Sequence, residues 1–173
     1  MGLSSAPAPS PSLTTQYLAF ALADANYAIE LLRVREIVEF APPTRVPGTP
    51  TFIRGVINLR GTVTPVVDLH VKLGLPIGQE TKRACIAVLE VGGEWGEAVS
   101  LGVIMDSVTD IIELGSDDIE SPPPFGTRIR LEFLRGVGKT ADDLYLVLEI
   151  DRVLSPEELS AVEEVAAMTG TTP

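Results

Sequence analysis

The sequence has too few thiol and imidazole groups for the sites that such groups usually build. Its 173 residues include one cysteine, Cys85, and one histidine, His70. A single cysteine excludes a disulfide framework within the chain. One cysteine and one histidine are too few ligands for a zinc site of the Cys/His type. This scarcity fits a reducing compartment. We expect Cys85 to pack as a small hydrophobic residue and His70 to lie on the surface of a short helix.

Long apolar runs are also absent, although 45% of the residues are hydrophobic. No stretch of about 18 uninterrupted apolar residues is available to cross a bilayer. The first residues, MGLSSAPAPSPSLT, lack the basic start and the apolar segment of a secretory signal. Serine, proline and alanine dominate this stretch, so we predict a disordered tail over residues 1–14. The expected protein is cytoplasmic, with no direct insertion into a membrane.

Basic residues are in the minority, because 13 Lys and Arg stand against 24 Asp and Glu, a formal net charge of −11. So acidic a chain repels a phosphate backbone, which argues against nucleic acid as a partner. The charge is uneven: residues 31–60 carry five arginines against two glutamates, and residues 141–173 carry eight acids against one arginine. This pattern is either an ordinary solvated surface or two faces of opposite charge for protein partners.

Turn residues divide the chain after the tail into about eight short strands and two short helices. The predicted hairpins lie at residues 15–40, 53–69, 84–114 and 133–150, and the second strands of the first and third are predicted as continuous runs over residues 27–40 and 98–114. The predicted helices lie at residues 69–73 and from Ser155 onward. Many short strands with few helices favour small β-barrels in one domain or in two intertwined lobes. The lobes should meet near residues 53–69, with four side chains largely buried: Val56, Leu59, Val66 and Leu69.

Catalytic motifs are incomplete in this sequence. Residues 136–140, GVGKT, end like a phosphate-binding loop, but Phe133 stands where that motif needs a glycine, so we expect a hairpin turn. The acid–base candidates are Asp24, Asp68, Asp106 and Asp110. Nothing in the sequence indicates that their environments separate their pKa values, and turn-capping carboxylates are commoner. We therefore expect no enzymatic activity, no cofactor and no metal.

Four segments, in order, resemble the CheW-like chemotaxis coupling family. Residues 52–69, FIRGVINLRGTVTPVVDL, are similar to the family signature, and residues 27–37, YAIELLRVREI, are similar to its second strand. Residues 101–108, LGVIMDSV, resemble its aspartate–small–valine strand, and residues 133–137 with 144–154 resemble its closing hairpin and the start of its last helix. The resemblance covers about residues 15–160, so residues 161–173 are expected to end that helix and form a tail.

The resemblance implies an all-β fold with short helices: two intertwined five-stranded SH3-like β-barrels that share one core, and a C-terminal helix. It also implies a non-enzymatic adaptor that couples methyl-accepting chemoreceptors to a CheA-type histidine kinase in bacterial chemotaxis signal transduction. Such a protein is recruited to the inner face of the membrane in receptor arrays. Two alternatives stay open. One is a same-fold adaptor of a parallel chemosensory pathway (twitching, gliding or gene regulation), and a remote one is a small β-barrel hydrolase using Asp68 and Asp106.

Two sets of interaction residues follow from the resemblance. The receptor-binding set, facing the cytoplasmic tip of the receptor, is Val34, Glu36, Gly55, Asn58 and Arg60. The kinase's regulatory domain has the same fold, so a contact between barrel ends is implied. The kinase-binding set is Val66, Asp68, Val71, Val103, Met105 and Val108.

Four residues stand at or near turns where the sequence leaves their role open. Arg60 either forms an internal salt bridge, with Asp68 or Glu36, or donates hydrogen bonds to oxygens of a helical receptor tip. Gly55 and Gly61 mark places where the backbone bends or is closely approached. Trp95, in a long turn, either folds over its own hairpin or anchors a partner.

Overall fold

The computed structural model describes residues 13–76, 82–92, 98–121 and 131–170, and most of the predicted tail and the turn with Trp95 lie outside this part of the chain. The strands are β1 (Thr14–Leu22), β2 (Ala25–Glu30), β3 (Val34–Glu39), β4 (Ile53–Leu59), β5 (Thr62–Val67), β6 (Cys85–Val91), β7 (Val99–Met105), β8 (Ser107–Gly115), β9 (Ile119–Glu120), β10 (Leu134–Lys139) and β11 (Leu144–Leu148). The helices are α1 (Leu69–Leu73), α2 (Ile150–Val153) and α3 (Pro156–Gly170). No helix in the described residues is long and apolar enough to cross a membrane.

The strands form two sheets. The first has six strands in the order β8-β1-β2-β11-β10-β9, and the second has five in the order β3-β6-β7-β5-β4. Neighbouring strands are antiparallel except for β2 with β11 and β5 with β7, which are parallel. We call the two sheets, with the segments attached to them, the first and second lobes. The chain starts in the first lobe, builds the second, and returns to the first, which confirms the predicted all-β, intertwined architecture.

Two predicted strands are wrong as continuous elements, because the chain changes sheet within them. The run predicted from residue 27 to 40 is interrupted by a 3-10 turn at Leu31–Arg33, so β2 lies in the first sheet and β3 in the second. The run predicted from 98 to 114 is interrupted at Asp106, which separates β7 from β8. Alternating β-prone residues predict an extended backbone, but they do not indicate which sheet it joins.

Three apolar clusters of described residues fill the two lobes. The largest lies between the sheets and takes residues from both, including Phe20, Leu69 and Met105. A second cluster belongs to the first sheet, around Tyr145, and a third to the second sheet, around Ile86. The lobes therefore share one core, as expected.

The predicted core residues of the 53–69 hairpin are mostly buried. Val66 and Leu69 are fully buried and Val56 is 9% exposed. Leu59, by contrast, is only half-buried, so that prediction is wrong. It is the last residue of β4, which lies at the edge of the second sheet beside an exposed turn.

Helix α3 begins as the sequence predicts. The Ser155 hydroxyl accepts the N–H of Glu158 at 3.1 Å, and the Glu158 carboxylate accepts the N–H of Ser155 at 2.8 Å, a reciprocal cap. Glu158 also pairs with Lys72 of α1 at 2.6 Å, and the Lys72 ammonium lies 5.4 Å from the ring centre of Phe52. These contacts tie the C-terminal helix to α1.

The motif-like residues have structural roles. Cys85 is buried, and burial raises the pKa of its thiol, so it packs as the predicted small hydrophobic residue. Residues 136–140 are strand β10 and the start of a turn, as expected, and Lys139 pairs with Glu120 at 2.9 Å. No phosphate-binding loop is formed there, because a helix would have to follow Thr140 and β11 follows instead.

Candidate functional site

The two-residue turn between β4 and β5 presents an arginine in an unusual backbone conformation. Arg60 has φ 52° and Gly61 has φ 84°, the left-handed pair that a tight hairpin turn requires. The side-chain oxygen of Asn58 accepts the N–H of Gly61 at 2.8 Å and fixes the turn. A non-glycine residue with positive φ costs about 1 kcal/mol or more, so a side chain is kept at position 60 against the local preference of the backbone.

Arg60 reaches across to the opposite edge of the second sheet. Its Nη2 lies 2.9 Å from Oε2 of Glu36 on β3, which identifies the partner left open by the sequence as Glu36 rather than Asp68. The Arg60 side chain is 83% exposed, so the ion pair contributes at most about 1 kcal/mol to stability. We call Glu36, Asn58 and Arg60 the turn cluster. In this cluster the guanidinium of Arg60 is exposed to solvent.

Two of the five residues predicted to bind the receptor lie apart from the turn cluster. Gly55 has φ 148°, and a β-carbon there would overlap the carbonyl oxygen of Thr44. Thr44 and Val56 exchange backbone hydrogen bonds of 2.8 and 2.9 Å, so Gly55 permits the close approach that the sequence predicts. Val34 is half-buried and packs against the shared core.

The Thr44–Val56 bridge and the Arg60–Glu36 ion pair close the second sheet only in part. Both join the β3 side of the sheet to β4, the strands at its two edges. In the described residues this closure is one isolated bridge and one ion pair, not a continuous ladder. The turn cluster therefore lies on the seam of an incompletely closed barrel.

Four of the six residues in the predicted kinase-binding set are too buried to contact a partner. Val66, Asp68, Val103 and Met105 are at most 1% exposed. Strands β5 and β7 lie inside the second sheet, with the shared core on one face and the second lobe's own cluster on the other, so successive residues are buried. Val71 and Val108 are half-buried and remain available.

Asp68 belongs instead to a buried polar network. Its Oδ2 accepts Arg54 Nη1 at 2.9 Å, and its Oδ1 accepts the N–H of His70 at 2.9 Å as the N-cap of α1. Burial alone would raise the pKa of Asp68, but the hydrogen bonds from His70 and Arg54 lower it to about 2. A carboxylate held so firmly in its ionised form is a poor general acid, which counts against the hydrolase alternative.

The prediction that His70 lies on the surface of a short helix is wrong. His70 is buried, 7% exposed, and its ring lies between Asp68 and Asp106, with Nε2 3.2 Å from Oδ1 of Asp106. The signal for part of this was present: a helix predicted to start at residue 69 makes Asp68 its N-cap, a position that aspartate favours. No local pattern indicates that Arg54 or Asp106 completes the network. The other acid–base candidates, Asp24 and Asp110, are exposed.

Comparison with known proteins agrees with this geometry. The family model of the CheW-like domain matches residues 16–158. The chain is 33% identical to "Chemotaxis protein CheW" of Klebsiella aerogenes over 87% of its own length and 88% of the relative's. It is 32% identical to "Protein FrzA" of Myxococcus xanthus, over 70% of this chain and 72% of that one.

A solved structure extends the agreement to three dimensions. The scaffolding protein TtCheW from Thermoanaerobacter tengcongensis superposes with a TM-score of 0.73 and 30% identity, covering 88% of this chain and 94% of that one. The family match, the sequence relatives and the superposition all span the two lobes described above. The chain belongs to the CheW-like family.

Proposed function

We propose that the chain is a non-enzymatic adaptor that couples the cytoplasmic tip of methyl-accepting chemoreceptors to the regulatory domain of a CheA-type histidine kinase. The proposal rests on the family membership and on relatives named as chemotaxis and scaffolding proteins. We also propose that the protein is cytoplasmic and is recruited to the inner face of the membrane in receptor arrays. Its work is binding without turnover, and it uses no cofactor.

The observation that carries the receptor contact is the exposed guanidinium of Arg60. Asn58 fixes the backbone of the turn that carries Arg60, and Glu36 pairs with the guanidinium. The Arg60 side chain is nevertheless 83% exposed to solvent. A planar guanidinium suits carboxylate or carbonyl oxygens on a helical receptor tip. The surrounding segment, residues 31–60, carries five arginines against two glutamates, so it favours an acidic partner.

Exposed apolar side chains near the turn cluster support a helix-in-groove contact. Ile37, 43% exposed, follows Glu36 on β3, and Leu32, 91% exposed, lies in the 3-10 turn that leads into this strand. A few apolar anchors beside a fixed arginine are typical of surfaces that bind an amphipathic helix. For the kinase contact we retain Val71 and Val108, which are half-buried, at the α1 and β8 side of the molecule.

Replacing Arg60 by alanine tests the receptor contact. Alanine also carries a β-carbon, so the backbone strain is unchanged, and the exposed ion pair with Glu36 contributes little to stability. We expect a nearly unchanged thermal midpoint, a drop of at least about tenfold in receptor affinity, and unchanged kinase affinity. Arg152→Ala, an exposed arginine on α2, makes the same change in charge and is expected to leave all three quantities unchanged.

The outcomes separate the two roles of Arg60. A variant with a lower melting temperature that weakens both contacts together would assign Arg60 a structural role. A stable variant with full receptor affinity would remove Arg60 from the receptor contact altogether. Isothermal titration with each partner and a thermal melt, all on one preparation, provide the three readings.

A parallel chemosensory pathway is the second candidate function. The relative "Protein FrzA" does not carry a chemotaxis name, yet it covers 70% of this chain. The same surfaces would then serve a receptor and a kinase that control twitching, gliding or gene expression. Identifying which receptor and which kinase co-purify with the chain distinguishes this pathway from flagellar chemotaxis.

A further inference from the structure

The chain's only histidine lies between two carboxylates at the junction of the lobes. His70 is on α1, which directly follows β5 of the second sheet. Its Nδ1 lies 3.2 Å from Oδ1 of Asp68, and its Nε2 lies 3.2 Å from Oδ1 of Asp106. The side chain is 9% exposed. A buried imidazole therefore has a carboxylate oxygen within hydrogen-bond reach of each ring nitrogen.

Asp106 connects this imidazole to the first lobe. It lies between β7 and β8, where the chain crosses from the second sheet to the first. Its N–H donates to the carbonyl of Ala21 at 3.1 Å, and its Oδ2 accepts the N–H of Ala23 at 2.7 Å. Ala23, with φ 53°, is in the turn between β1 and β2. The contact between His70 and Asp106 therefore joins a helix of the second lobe to a turn of the first.

Only the charged imidazolium satisfies both contacts. An ionised carboxylate accepts hydrogen bonds and cannot donate them, whereas a neutral imidazole has a single N–H. Neutral His70 would therefore present a lone pair to one of the two carboxylates. Asp68 does not relieve this conflict by taking up a proton, because the hydrogen bonds from His70 and Arg54 outweigh burial and hold its pKa at about 2.

The charged groups around His70 come from several elements. They are Asp68 at the start of α1, Asp106 at the β7–β8 crossing, Arg54 of β4 on the far oxygen of Asp68, and Lys72 on α1 itself, which pairs with Glu158 of α3. The β1–β2 turn that Asp106 holds also carries Asp24, which is exposed. The hydrogen bond to Asp68 raises the pKa of His70, burial lowers it, and the charge of Asp106 raises it further, with a net rise above 6.5.

We propose that His70 is a proton-dependent clasp between the two lobes: the imidazolium holds α1 to the β1–β2 turn through Asp106, and loss of the proton releases this contact. Because the folded state binds the proton more tightly than the unfolded chain, the stabilisation is complete below about pH 6.5. It is lost as the pH rises through the raised pKa of the folded protein. Release loosens the junction and leaves the apolar cores of both lobes in place.

An NMR titration of the imidazole tests the clasp on the full chain. A single histidine gives a single set of ring signals, so the assignment is unambiguous. We expect a wild-type midpoint above 6.5. Asp106→Asn keeps an oxygen for the N–H of Ala23 but removes the charge, so its midpoint should fall below that of the wild type. Asp142→Asn, exposed in the β10–β11 turn, changes the net charge equally and should leave the midpoint near the wild-type value.

Hydrogen exchange at Ala23 gives a second reading. Above the His70 midpoint the Ala23 amide should exchange faster, relative to the amides of β6 in the same sample, than it does below the midpoint. A wild-type midpoint at or below 6.5, or a folded Asp106→Asn variant with an unchanged midpoint, would overturn the proposal. If Asp106→Asn does not fold, the wild-type midpoint and the Ala23 exchange decide: the proposal survives only if both behave as stated.

Discussion

Individual backbone positions determine where the edges of the second sheet meet. Gly55 allows the carbonyl of Thr44 to approach β4, and the left-handed Arg60–Gly61 turn aims a guanidinium at Glu36. The first contact is a steric requirement with no side chain involved. The second is a weak ion pair that orients the Arg60 side chain and adds little stability. The two positions therefore differ in what a substitution removes.

Substituting Gly55 and Gly61 separately tests the steric requirement. Alanine at Gly55 meets both a φ of 148° and the Thr44 carbonyl, so we expect Gly55→Ala to lower the free energy of unfolding by about 2 kcal/mol or more. Gly61 has φ 84° but open space around it, so Gly61→Ala should cost only about 1 kcal/mol. Urea unfolding of both variants provides the comparison, and equal losses would contradict the account of Gly55.

Sequence reasoning was most successful at such turn positions and least successful for the polar network. Glycines beside an apolar strand predict bends and close approach wherever they occur, because only glycine tolerates them. The fate of His70 depends on Asp106, which is 36 positions away, and no local pattern carries that information. Arg60 lies between these cases. Both possible ion-pair partners were named from the sequence, but only the fold selects Glu36.

At the scale of elements, helix α1 begins on a buried charge. Asp68 caps the helix and pairs with Arg54, and the hydrogen bonds from His70 and Arg54 hold its pKa at about 2, against 3.8 in an unperturbed side chain. A lowered pKa in the folded state stabilises the fold at pH values above about 4. That contribution, about 2 kcal/mol, is lost as the pH falls toward 2.

Asp68→Asn isolates this contribution. Asparagine can still cap the helix but cannot titrate. The difference in unfolding free energy between wild type and variant should therefore be constant between about pH 6 and pH 5, where His70 stays protonated and Asp68 stays ionised. It should then shrink as the pH falls from about 4 toward 2. Denaturant unfolding at a series of pH values measures it, with Asp142→Asn as the exposed control. A difference that does not change with pH would show that Asp68 carries no such contribution.

Strand β5 is an interior strand with apolar clusters on both faces. Val66, fully buried, belongs to the second lobe's own cluster, while Val67 belongs to the shared core. An unpaired charge placed there costs several kcal/mol, comparable to the stability of a whole domain. We expect Val66→Asp to unfold the protein, as measured by circular dichroism. Thr62→Asp, exposed on the same strand, should remain folded. A folded, cooperative Val66→Asp variant would contradict the assignment of β5 to the core.

At the scale of the whole molecule, the resemblance supplied what local patterns could not. Strand periodicity predicted that most of the chain is β, but it joined β2 to β3 and β7 to β8, because a corner at Leu31–Arg33 or Asp106 has no distinctive residue. The family resemblance supplied two intertwined lobes with one core. The burial of Val66 is predicted from its place where the lobes meet, but the burial of Val103 and Met105 is not, because it depends on the apolar clusters on both faces of their strand.

The lobes place the proposed receptor and kinase contacts on different elements. The turn cluster lies on the seam between β3 and β4, whereas Val71 and Val108 lie on α1 and β8. An adaptor needs this separation, because both partners must be bound at once. Simultaneous binding of both partners therefore defines the proposed adaptor, and neither affinity alone tests it.

A bridging experiment tests simultaneous binding of the two partners. The cytoplasmic tip of a receptor is immobilised, and the regulatory domain of the kinase from the same source is passed over it with and without this chain. We expect the kinase domain to be retained only when the chain is present, and we expect Arg60→Ala to reduce its retention while Arg152→Ala does not. Retention of the kinase domain without the chain, or a chain that binds one partner only in the absence of the other, would show that the chain is not an adaptor between them.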